Sequence, residues 1–200
     1  RGRPAVWSQF GRDVALTLGD WLVALSFELA AEAAQRAHTP MLVKILATHM
    51  KTTTLGEARE FDLQPVTDWQ HYLQGAGDKT APLLTAPIEG VATMALHGGA
   101  ASTIGACFRA LGNAYQIGND ILNFSGRDGA DTCGSDLARR APNGVVVLFR
   151  GYLDDAECAA FDDWYRTGSD DGFDMWLETL RASRAPAEAA RRMNAMLDDA

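Results

Sequence analysis

The run Leu111-Gly112-Asn113-Ala114-Tyr115-Gln116-Ile117-Gly118-Asn119-Asp120-Ile121-Leu122-Asn123-Phe124 is apolar on most sides, yet it carries Gln116, Asn119, Asp120 and Asn123 at spacings of three and four. In a helix that spacing stacks the polar side chains on one face. Amides and a carboxylate buried without partners cost roughly a few kcal/mol each. The stripe must therefore meet partners or line a cavity, and it reads as the wall of a pocket.

The rest of the chain has helical periodicity. Between Ala5 and about Gln35, Val6, Phe10, Val14, Leu18, Leu22, Leu25 and Leu29 recur at helical spacing. Gly19-Asp20 predicts a break or bend there, Gly19 permitting close packing and Asp20 capping the next helix. Met41 to about Leu55 reads as another helix, closed by Gly56-Glu57. A helix pair is expected next, from Thr67 through Tyr72 and from Asp78 onward, with Pro82 in a first turn, Pro87 kinking the residues after it and Gly98-Gly99 ending the element. Residues 125–135 are a loop by composition, and amphipathic helices fill the chain from Val145 onward. The acidic doublets Asp154-Asp155 and Asp170-Asp171 precede helical runs, where carboxylates cap N–H groups. Only Val145-Val146-Val147 is β-like, so the expected class is all-α.

At 200 residues and 47% hydrophobic, the chain is expected to form a single domain, 1–200. A net charge of −8 argues against nucleic acid or an anionic membrane surface as partner. An anionic ligand then needs a cation to mediate. Cys107, Cys133 and Cys158 are widely spaced, with no Cys-x-x-Cys pair, and read as reduced. His38, His49, His71 and His97 are too scattered for a zinc site. No uninterrupted run of 18 apolar residues occurs, so no transmembrane segment is expected, and the reduced cysteines read as those of a cytoplasmic protein.

Several separated words resemble the trans-isoprenyl diphosphate synthase (polyprenyl synthetase) family. Gln116, Asp120, Ile121 and Leu122 match its second aspartate-rich helix, whose first and last aspartates are Asn119 and Asn123 here. Lys79-Thr80, seven residues after Tyr72, resembles its Lys-Thr pair, and Asp136-Leu137 through Pro142 its next loop, where Arg139 or Arg140 replaces a usual lysine. Arg1-Gly2-Arg3-Pro4 resembles words that come after the family's first aspartate-rich motif. The resemblance implies an isoprenoid-synthase type helical bundle around a central cavity, with its N-terminal helices absent from this chain.

It also implies Mg²⁺-dependent prenyl transfer between an allylic diphosphate and isopentenyl diphosphate, commonly in a homodimer. Diphosphate leaves readily only when its charge is neutralised, and a dry apolar cavity protects the allylic cation that remains. On this resemblance Asp120, with Asn119 and Asn123, would hold Mg²⁺. Gln116 would orient the substrate, Lys79 and Thr80 would bind the allylic diphosphate, and Arg1 would sit near the second diphosphate. Asp120 and Lys79 are the expected catalytic residues. A terpene cyclase is an alternative, because Asn119, Asn123 and Arg127 occupy the spacings of a cyclase metal motif. A non-catalytic partner subunit of a heteromeric synthase is another. The chain alone is not expected to turn over without the first motif.

Overall fold

The computed structural model describes residues 4–59, 68–95, 98–126 and 133–199, with side chains from 103 onward in the third stretch. Among them there is no strand. The elements are α1 (Val6–Phe10), α2 (Arg12–Arg36), α3 (Met41–Ala58), α4 (Trp69–Met94), α5 (Gly98–Ser125), α6 (Ser135–Arg139), α7 (Gly144–Arg150), α8 (Asp155–Thr167), α9 (Phe173–Ala182) and α10 (Ala185–Asp198).

Three boundaries differ from the sequence expectation. The N-terminal break falls at Gly11, whose φ of 92° suits glycine, and α2 runs unbroken through Gly19-Asp20. A Cβ on Gly19 would meet nothing within 4 Å, so close packing does not explain that glycine. Second, the expected helix pair is one helix, α4, which contains both Pro82 and Pro87. Pro82 therefore lies inside the helix and not in a first turn. Each proline forfeits a backbone hydrogen bond, and packing of α4 between α3 and α5 compensates. Third, Gly98-Gly99 opens α5 and does not end the preceding element. The β-like Val145–Val147 run lies in helix α7 and is buried in the core.

Capping accounts for several starts. Asp68 accepts from the His71 N–H at α4, and Asn143 accepts from Val145 and Val146 N–H at α7. Asp154 caps α8 as expected, and with Glu157 it forms a reciprocal capping box. Asp170-Asp171 does not cap α9, where Gly172 in the left-handed region holds the N-cap. The three cysteines are unpaired.

The site-bearing helices are antiparallel. Tyr72 meets Asp120, while a Cβ on Gly77 would meet Asn113 and one on Gly112 would meet Ala81, so α4 and α5 run in opposite directions. Gly56 seats on the Lys79 backbone and His49 pairs with Glu89, which makes α3 antiparallel to α4. The core gathers Ile117 and Phe124 of α5, residues 145–149 of α7, and Phe161, Leu177, Leu180 and Ala189 of the last helices.

Helix α2 carries its apolar residues outward. Leu16, Trp21 and Leu29 are more than half exposed, and the helix is long and apolar enough to cross a membrane by length and composition. A search for an uninterrupted apolar run misses this, because scattered charges break the run without lowering the average below a spanning value. The same composition also suits a helix packed into an interface.

Candidate active site

One cavity of about 880 Å³ opens between α3, α4, α5 and α6. Its lining contains Lys79, Thr80, Gln116, Asn119, Asp120 and Asn123, which are all the predicted site residues except Arg1. Arg1 lies outside the described residues, as does Arg127 of the cyclase-like spacing. The polar stripe of α5 is thus a pocket wall, with Lys79 and Thr80 of α4 facing it.

The stripe is not uniform. Asp120 is 1% exposed and both its oxygens are engaged. Oδ2 accepts from the Tyr72 hydroxyl and the Gly144 N–H, each at 2.6 Å, and Oδ1 accepts from Gln116 Nε2 at 3.0 Å. Asp120 therefore ties α4, α5 and the start of α7 together. Burial pushes its carboxyl from 3.8 up to about 7, against the lowering effect of these donors, and nearby Asp136 adds to the rise. Burial, then the Asp120 charge, raises the Tyr72 hydroxyl well above its ordinary value.

Asn123 is likewise turned to structure. Its Nδ2 donates to Ser135 Oγ at 2.8 Å and its Oδ1 accepts from the Asp136 N–H at 3.2 Å, which anchors α6 to α5. Asn119 is half-buried and lines the cavity. Thr80 Oγ1 lies 3.5 Å from Gln116 Oε1, joining the two walls.

Lys79 sits inside α4, not at a helix start. Its Nζ lies 3.5 Å from Glu57. Neighbouring Asp78 faces away, paired with Arg59 at 2.8 Å and Arg109 at 3.4 Å. The ambiguity between Arg139 and Arg140 resolves by backbone geometry. Arg140 adopts a left-handed φ of 59° that turns its guanidinium onto the Trp164 ring, 3.7 Å from the centroid. Arg139 stays on the cavity wall, bonded to Asp136 at 2.8 Å. Sequence reading reached Asp136 only through its resemblance to a family loop, missed Ser135 as a lining residue and gave Glu57, beside the helix-closing Gly56, no role.

A family profile described as Polyprenyl synthetase matches residues 1–172. This chain belongs to the polyprenyl synthetase family. Among curated relatives of this polyprenyl synthetase chain, an all-trans-nonaprenyl-diphosphate synthase (geranyl-diphosphate specific) of Rhodobacter capsulatus is 30% identical over 74% of the chain and 44% of its own length. A geranylgeranyl diphosphate synthase of Mycobacterium tuberculosis is 32% identical over 74% of the chain and 43% of its own length. The chain thus spans less than half of either relative. The fold matches octaprenyl pyrophosphate synthase from Helicobacter pylori with a TM-score of 0.79 at 18% identity, covering 98% of this chain and 63% of that one. A polyprenyl synthase from Caulobacter crescentus, complexed with calcium and isoprenyl diphosphate, matches with a TM-score of 0.79 at 21% identity over 98% of this chain and 61% of that one. These confirm the all-α isoprenoid-synthase architecture.

The donor set of this polyprenyl synthetase wall does not by itself fit Mg²⁺. Among the described residues, no three His, Cys, Asp or Glu side chains are grouped to hold a metal. Asp120 commits both oxygens internally, Asp136 accepts from Arg139 and Asn143, and Glu57 faces Lys79. Mg²⁺ requires hard oxygen ligands in octahedral array. The neutral amides of Asn119 and Asn123 supply weak ones, and those of Asn123 are already bonded.

Proposed function

We propose that this chain supplies the substrate wall of a prenyltransferase that joins an allylic diphosphate to isopentenyl diphosphate. The observation that carries this reading is the junction of two unlike spaces. The polar cavity holding Lys79 and Arg139 shares Leu83 with a groove of about 400 Å³ whose lining is almost wholly apolar. A molecule with a charged head and a hydrocarbon tail matches that pairing.

In this reading Lys79 and Arg139 face the diphosphate head, Thr80 and Gln116 hydrogen-bond it, and Asn119 contributes a neutral dipole. The groove receives the tail and keeps water from the reacting carbon. The two cations are offset by Glu57 and Asp136 on the same wall, so the head needs further positive charge. A Mg²⁺ requirement of the intact protein would rest on carboxylates outside the described residues. The partner-subunit reading draws support from the same shortage of carboxylates, and the exposed apolar face of α2 supports assembly with a second copy.

Lys79→Ala is expected to weaken binding of geranyl diphosphate by about 10–100-fold, since a charge-assisted contact to an anion is worth roughly 1.5–3 kcal/mol. Loss of the Glu57 contact, which is long and partly exposed, should cost less than about 1 kcal/mol of stability. Calorimetric titration of the intact protein measures the first quantity and a thermal melt the second. Unchanged affinity in a folded variant would remove Lys79 from the diphosphate site.

A further inference from the structure

We infer that His49, held in place by Glu89, is a specificity-determining residue that sets how far the hydrocarbon tail of an allylic diphosphate extends along the groove between α2, α3 and α4. The inference rests on the functional reading above and adds to it a residue that decides between substrates. The groove walls are Ala30 of α2, Ile45, Leu46 and Met50 of α3, and Ala86 and Gly90 of α4. Two polar side chains join them. Ser26 satisfies its hydroxyl on the Leu22 carbonyl of its own helix. His49 instead reaches across to α4, where its Nε2 lies 2.7 Å from Glu89 Oε2.

Burying part of an imidazole and a carboxylate carries a desolvation cost that an apolar pair of similar size would avoid. The α3–α4 packing does not require the pair, because Gly56 already brings these helices into backbone contact at Lys79. What the pair does is fix the imidazole, which otherwise turns about its side-chain torsions, in one position on the groove wall. That position is part-way along. Glu89 lies nine residues beyond Thr80 on α4, about 13 Å further along the helix axis. Past the pair the lining is apolar again, with Leu42, Val91 and Met94. A short tail starting at the polar cavity ends among Leu83 and Ala86. A longer tail must pass the fixed imidazole and cover its polar edge with hydrocarbon.

The test compares kcat/KM for geranylgeranyl diphosphate with that for geranyl diphosphate, together with the affinity for each, in the intact protein and in His49→Ala and Glu89→Ala. Loss of a few groove atoms changes such discrimination by about 10–200-fold. His49→Ala should raise the long-to-short ratio by about tenfold or more and lengthen the products, and Glu89→Ala should move the ratio in the same direction by less. Glu89 is 36% exposed, so its variant carries the test if His49→Ala fails to fold. An active wild type whose ratio is unchanged or lowered in the folded variants overturns the inference and leaves the functional reading intact. A wild type that neither binds nor turns over either diphosphate overturns both.

Discussion

Asp120→Ala is expected to destabilise the protein by roughly 3–5 kcal/mol, whereas Asp120→Asn should leave it folded and active. The alanine variant strands the Tyr72 hydroxyl, the Gly144 N–H and the Gln116 amide in the interior, where each unsatisfied group costs roughly 1–3 kcal/mol. In a chain of 200 residues that corresponds to about 10 °C in Tm. Asparagine repairs the network. Its Oδ1 accepts from Tyr72 and Gly144, and its Nδ2 donates to Gln116 once that side-chain amide flips.

The two variants also separate with pH. The folded carboxyl is raised from 3.8 to about 7 by burial, so the stability it contributes is fully present below about pH 4 and is lost as pH rises through 7. Asp120→Asn removes that loss. Its Tm should equal or exceed that of the wild type at pH 8, and the advantage should shrink by pH 5. Thermal melts of the three proteins at both pH values measure this. If Asp120→Asn is folded but inactive, the carboxylate touches metal or substrate, and its tie to α7 is not its main role.

The second large effect belongs to Gly56→Ala. A Cβ there would lie 2.5 Å from the Lys79 nitrogen and 2.7 Å from the Asp78 carbonyl carbon, both backbone atoms that cannot rotate aside. Helix propensity alone favours alanine by about 1 kcal/mol. Overpacking costs about 1–3 kcal/mol or more and here forces α3 away from α4, so the sign of the stability change decides which effect wins. We expect a net loss of about 1–2 kcal/mol. Because the displaced residue is Lys79 itself, diphosphate affinity should fall with it. A stabilised variant with unchanged affinity would show that the helices separate without disturbing the site.

The polar stripe on α5 was legible because spacing alone places Gln116, Asn119, Asp120 and Asn123 on one helical face. What each residue does on that face was not. Asp120 looks inward because Tyr72 and Gly144 reach it from 48 and 24 residues away, a convergence that no local pattern encodes. Asn123 anchors α6 through Ser135 and Asp136 across a loop. The choice between Arg139 and Arg140 turns on one left-handed residue, which side-chain chemistry does not announce. Pro82 misled for a related reason, since local rules place a proline in a helix's first turn while packing on both sides holds α4 continuous through it. The glycines show the same limit. Gly19 has open space around it and Gly56 has none, although both stand within helical periodicity.

If the polar cavity and the apolar groove together serve prenyl transfer, the products will show it. Product analysis of the intact protein with geranyl diphosphate and Mg²⁺, with and without isopentenyl diphosphate, is the decisive measurement. Prenyl transfer gives a longer prenyl diphosphate that forms only when isopentenyl diphosphate is present. A hydrocarbon or terpene alcohol formed without it, or no product under conditions where a known synthase is active, would contradict that function; the first result would indicate a cyclase and the second a non-catalytic partner subunit.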